Sequence, residues 1–217
     1  MKPPTSEPRR NRVDPWGELI AVPDRGALMG NRGLLHDEEG RIRRNHQLWR
    51  WIACVLEFKG RRRRIMRPGH YTELFFLDEA TAFAAGHRPC AECRRADYNA
   101  FRAAWAEGQG WEKPPSAEDL DRRLHRERLA DDGSRRTFDA AVAELHDGVF
   151  AFGIGGAGDR EPHLLSDGRW RRWSPAGYAD AGPAAAGDRV RVLTPPSVVA
   201  AFAAGYGPRI GRHASRR

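Results

Sequence analysis

The chain has 217 residues and a formal net charge of +8, with 40% hydrophobic and 30% charged side chains. That length can bury a real core in one large or two small domains. No apolar run reaches the roughly 18–20 residues that span a bilayer, which excludes a transmembrane helix and predicts no membrane partner.

The positive balance favours polyanionic partners through steering and counterion release. Only Lys2, Lys59 and Lys113 of the 37 cationic residues are lysines. A GC-rich genome also produces such an arginine bias, so the placement of the arginines matters more than their number. The N-terminal stretch lacks the apolar h-region of a secretory signal, so a cytoplasmic location is expected. Three cysteines in such a chain argue against a disulfide framework.

Taken in order, residues 1–28 are proline-rich and aperiodic, and read as a flexible arm. Residues 30–44 read as two short strands around an Asp-Glu-Glu-Gly turn. The aromatic and β-branched run 48–58 reads as a buried strand. A basic turn at 59–64 leads to another strand, and 70–77 is again strand-like. The period then changes. Asp78 fits an N-cap and Gly86 a left-handed C-terminal stop for a short Ala-rich helix. Pro89 forces an extended turn before Cys90. From Arg94 to Glu107, Tyr98, Phe101, Ala104 and Trp105 recur at helical spacing.

Glycines and prolines at 108–116 read as a linker, and Ser116 with Asp119 as a capping pair for the next helix. Beyond residue 137 the chain is glycine-rich and strand-like, with strands expected within 148–156, 163–170 and 188–193 and a short helix after Pro195-Pro196. The fold class expected is α+β: a flexible arm (1–28), a small zinc-stabilised α+β unit (29–112), then a helix and a β-rich unit (113–217).

The pair Cys90-x-x-Cys93 admits a redox couple, two unconnected thiols, or half of a structural zinc site. The proline before Cys90 and the preceding helix disfavour the first. Two cysteines at this spacing form a tight knuckle whose sulfurs reach one tetrahedral ion. Residues 73–95, an aromatic strand, an Ala-rich helix, then Arg88-Pro89-Cys90 and Cys93 with a basic tail, resemble the second half of the zinc-binding domain of the Ada DNA-alkylation-response family. The resemblance implies a zinc knuckle, and with it DNA repair or a DNA-damage response. That family supplies two further ligands from a close upstream pair; here only Cys54 stands upstream. Cys54, Cys90 and Cys93 with one imidazole would make a Cys₃His site for Zn²⁺. His36 is the favoured fourth ligand and His46 and His70 the alternatives, while His87 lies too close to Cys90.

Lys59, Arg61, Arg62, Arg63 and Arg64 form a cationic cluster, and Arg94 and Arg95 follow the knuckle. A metal joining Cys54 to the knuckle would bring both clusters to one side, where guanidinium forks bind phosphate. His36, Asp37, Glu38 and Glu39 supply the raw material of a hard-metal nuclease site, or a solvated turn. His125 and Arg128 share one helical face. Trp170, Trp173 and Tyr178, interleaved with arginines, suit base stacking or a small β-core. The leading expectation is a zinc-binding bacterial protein that binds nucleic acid, with DNA as the partner. Alternatives are an enzyme acting on DNA, as a metal-dependent nuclease or thiolate alkyl acceptor, and a protein-interaction module.

Overall fold

The computed structural model describes residues 7–60, 64–154 and 160–211 and has the expected α+β character. Strands β1 (Arg10–Val13), β2 (Leu19–Ala21), β3 (Leu28–Asn31), β4 (Ile52–Cys54), β5 (Leu74–Phe76) and β6 (Arg88–Pro89) form a mixed sheet in the order β2-β1-β5-β3-β4-β6. Where a loose arm was expected, residues 10–21 pair as β1 and β2. Val13 and Leu19 of this hairpin are buried with Leu74 and Phe76. Its two apolar anchors are separated by charged and turn residues, which hides the strand pattern in the sequence.

A second sheet contains β7 (Phe138–Ala141), β8 (Phe150–Phe152), β9 (His163–Ser166), β10 (Arg169–Ser174), β11 (Gly177–Pro183) and β12 (Arg189–Val192) in the order β11-β10-β9-β8-β12-β7. Asp167 and Gly168 close the β9–β10 hairpin with φ of 53° and 67°. Positive φ at both central positions suits the right-handed twist of the flanking strands.

Among the described residues, four α-helices cover the sheets: α1 (Glu79–Ala84), α2 (Arg95–Gly108), α3 (Ala117–Arg128) and α4 (Pro196–Ala203). Asp78 caps α1 by accepting from Thr81 N at 2.8 Å, and Ser116 caps α3 by accepting from Asp119 N at 3.1 Å. All six residues of α1 are buried. Its alanines serve different neighbours: Ala82 joins the core of the first sheet, while Ala80 and Ala84 join Phe150 and Leu164 of the second. Larger side chains there would overpack both.

Two expected strands are absent among the described residues. Within 32–44 there is only an isolated bridge, His36 to Ile42. Asp37 accepts there from the backbone N–H groups of Glu39 and Arg41 and from the side chains of Arg41 and Arg43, so the turn satisfies itself locally. Residues 64–69 form turns, with Met66 at φ 55°.

Packing runs across the division expected near residue 113. Phe83, Tyr98, Phe101 and Trp105 share one cluster with Leu120, Trp170 and Phe202. Arg88 of β6 also forms a bidentate pair with Asp121 of α3, at 2.8 and 2.7 Å, with both side chains at least nine-tenths buried. Removing one partner of such a pair strands a buried charge, which costs about 3–5 kcal/mol. Denaturant unfolding of Asp121→Ala should show a loss of that size. Arg122→Ala on the exposed face of the same helix should change stability by no more than about 0.5 kcal/mol. Equal effects would mean that the buried pair does not tie α3 to the first sheet.

Candidate metal centre

The site begins with strand pairing. β4 and β6 run parallel, with Ile52 opposite Arg88 and Ala53 opposite Pro89. Cys90 N then donates to Ala53 O at 2.9 Å, which sets Cys90 beside Cys54. Pro89 has no N–H to offer, and β6 is an edge strand where none is needed on its outer side. On the inner side, β3 approaches β4 closely. A Cβ at Gly30 would lie 2.2 Å from Ile52 O, so only glycine permits this spacing.

After Cys90 the chain turns tightly. Arg94 N donates to Cys90 O at 3.1 Å, and Glu92 N donates to Cys90 Sγ at 3.4 Å. The turn brings Cys93 back, and the sulfurs of Cys54, Cys90 and Cys93 all lie within 4.8 Å of one another. All three cysteines are free. Thiolates bound tetrahedrally at about 2.3 Å stand about 3.8 Å apart, so the triad fits one soft or borderline ion.

The thiols are electrostatically unequal. A hydrogen bond from Cys54, with backbone N–H groups of Cys93 and Glu92, brings the Cys90 thiol down to about 5 despite burial. Cys54 is pushed up because it donates to Cys90 and is buried, and burial also raises Cys93. One thiolate held by two thiols is an arrangement in which a divalent cation can take the place of the two shared protons.

Period-2 alternation turns Cys54 to the cleft side of the sheet. Met29, Phe75 and Cys54 are cross-strand partners that line a cleft of ≈ 870 Å³, whereas Leu74, Phe76 and Ala53 are buried on the other face. Cys90 and Cys93 line the same cleft, with Arg12, Arg25, Glu57 and Glu92 around it.

The histidines fall elsewhere. His36 is not in the cysteine group; its Nδ1 lies 2.6 Å from Thr72 Oγ1. The reason lies next to it: Leu35 anchors this loop in the core with Ala53 and Phe76, on the face opposite Cys54. His46 lies against Trp51 and His125, His70 is exposed beside Arg67, and His87 is buried and bonded to Arg32 Nε.

The cations divide similarly. Arg94 is buried and ion-paired to Glu79 and Asp97, so it is not free for phosphate. Its side chain holds the knuckle to α1. Arg95, Lys59 and Arg64 are exposed, and Arg61, Arg62 and Arg63 lie outside the described residues. Arg128 is fully buried, stacked over Trp51 at 3.8 Å and donating to Gly86 O and Trp49 O. Asp37 and Glu39 are occupied by Arg41 and Arg43 instead of forming an open carboxylate site. Trp170 and Tyr178 are core residues, and Trp173 packs against that core.

The exposed aromatics among the described residues are Trp49 and Trp111 instead, and Trp49 is the one with exposed arginines beside it. It is 58% exposed and stacked on His125 at 6.0 Å between ring centroids, with Arg44 and Arg50 exposed nearby in sequence. Trp51, two residues on, is buried. The stretch Trp49-Arg50-Trp51 reads as one buried run in the sequence, although one of its tryptophans faces solvent.

No family model, no curated protein and no solved structure matches the chain.

Zinc-loaded protein should contain one metal per chain, and Cys54→Ser, Cys90→Ser and Cys93→Ser should each lower affinity at least tenfold. Protons compete for the thiols, so affinity should fall as pH is lowered from 8 to 6. Metal titration with a chromophoric chelator measures both. Undiminished affinity in Cys54→Ser would remove that strand from the site.

Proposed function

We propose that this is a zinc-binding protein that engages nucleic acid, with the metal at Cys54, Cys90 and Cys93. The observation that carries the zinc reading is the convergence of three sulfurs from two chain segments. Soft thiolate donors in a small tetrahedral cluster suit Zn²⁺ among common cellular ions. Free cysteines fit a reducing, cytoplasmic setting. No helix among the described residues is long and apolar enough to cross a membrane.

The nucleic-acid half is supported by cations that have no ion pair among the described residues: Arg44, Arg50, Arg64 and Arg95 are exposed and free of carboxylates. Lys59 extends over the Phe58 ring. Trp49 adds an open aromatic face, and aromatic stacking holds unpaired bases without reading their sequence. DNA is the form the knuckle's Ada-like sequence suggests, and a role in DNA repair rests on that resemblance alone.

Binding to a fluorescent single-stranded oligonucleotide should weaken steeply with salt, at a log–log slope of about −0.7 per phosphate neutralised. Arg44→Ala/Arg50→Ala should reduce the slope by one to two such steps, and Trp49→Ala should cost about 1–3 kcal/mol. Arg62→Ala/Arg63→Ala tests the remaining basic cluster in the same way, with zinc content unchanged. Absence of binding at low salt would overturn the nucleic-acid reading and leave the metal reading standing.

A further inference from the structure

Building on the zinc reading, we infer that the metal at Cys54, Cys90 and Cys93 keeps an exchangeable fourth position that opens into the adjacent cleft and takes a small thiol. Three observations converge on this. The metal-competent group holds three donors, and no fourth His, Cys, Asp or Glu atom among the described residues joins it. The carboxylates that share the cleft stand outside that group, and Glu73 is already accepting from Met66 N at 2.7 Å. Cys54 and Cys90 are each 8% exposed, and both line the cleft of ≈ 870 Å³ with Cys93, so the cleft is the open side of an otherwise enclosed group.

A tetrahedral ion held from the protein side by three sulfurs directs its last vertex to the unfilled side. Sites with three protein ligands exchange the fourth, whereas closed four-ligand sites do not. The volume falls in the range of small-molecule pockets, about 300–1,000 Å³.

Donor chemistry selects the ligand class. Three thiolates already donate strongly to the ion, so a bound water gains little acidity and a soft donor is preferred to a hard oxygen. A thiol entering this position loses its proton to solvent and displaces the bound water as a neutral molecule; no electron is transferred. The added negative charge has a counterpart on the same face. Arg12 lies over the Phe75 ring at 4.7 Å, and both line the cleft. Met29, Ile52 and Val55 give the pocket an apolar wall for the carbon part of the ligand.

The test is cobalt(II) substitution of the full chain, read by visible and near-ultraviolet absorption during titration with 2-mercaptoethanol. The expected result is a saturable shift of the d–d bands with about a one-third rise in sulfur-to-cobalt charge transfer, as three thiolates become four. Cobalt should stay with the protein through gel filtration, and Glu57→Gln/Glu92→Gln should respond identically. Cobalt that binds but gives an unchanged spectrum, or that the thiol strips from the protein, overturns the exchangeable position alone. Cobalt that does not bind at all overturns the zinc reading and this inference with it.

Discussion

One backbone hydrogen bond, from Cys90 N to Ala53 O, fixes the relation between the two halves of the cysteine triad that could hold a metal. It extends the parallel pairing of β4 with β6 and joins residues 37 apart in the chain. Parallel pairing requires a crossover, and here β5 and the short helix α1 supply it. Gly30 allows β3 to close against β4 from the other side. The cysteine triad therefore depends on sheet register, and a one-residue slip would send Cys54 to the buried face.

The rest of the molecule holds that register in place through α1. Its cap, Asp78, receives Tyr178 Oη at 2.7 Å and Gly211 N at 2.8 Å. Glu79 receives Tyr206 Oη at 2.8 Å and Arg209 N at 2.9 Å, and pairs with Arg94, the residue directly after Cys93. Two buried carboxylates thus link the end of the chain to the knuckle. Buried carboxylates persist only when their oxygens are satisfied: Asp78 is held by hydrogen bonds, and Glu79 by hydrogen bonds and its pair with Arg94. A site built by residues 54–93 is consequently supported by residues from 178 to 211.

The sequence was most legible where a local rule acts alone. The caps Asp78 and Ser116, the alanine helix and the helical spacing of Tyr98, Phe101 and Trp105 all correspond to observed elements. The knuckle was legible because the spacing of Cys90 and Cys93 is itself the geometry. Partner choice was not legible. His36 stands beside Leu35, and the burial of Leu35 carries it to the far side of the sheet. Arg94, Arg88 and Arg128 look like surface cations in a basic chain, yet Glu79, Asp121 and the Trp51 ring hold them inside. Arginine with its planar head is well suited to such buried pairing and stacking. Trp170 and Tyr178, interleaved with arginines as a stacking surface would be, alternate into the core because strand period outweighs composition.

X-ray absorption at the zinc edge, on protein purified without added thiol, tests most directly whether these three cysteines form one metal centre. The account predicts three sulfur neighbours at about 2.3 Å and one nitrogen or oxygen neighbour at about 2.0–2.1 Å. A shell with two or fewer sulfurs would contradict it, because β4 and the knuckle would then not share an ion.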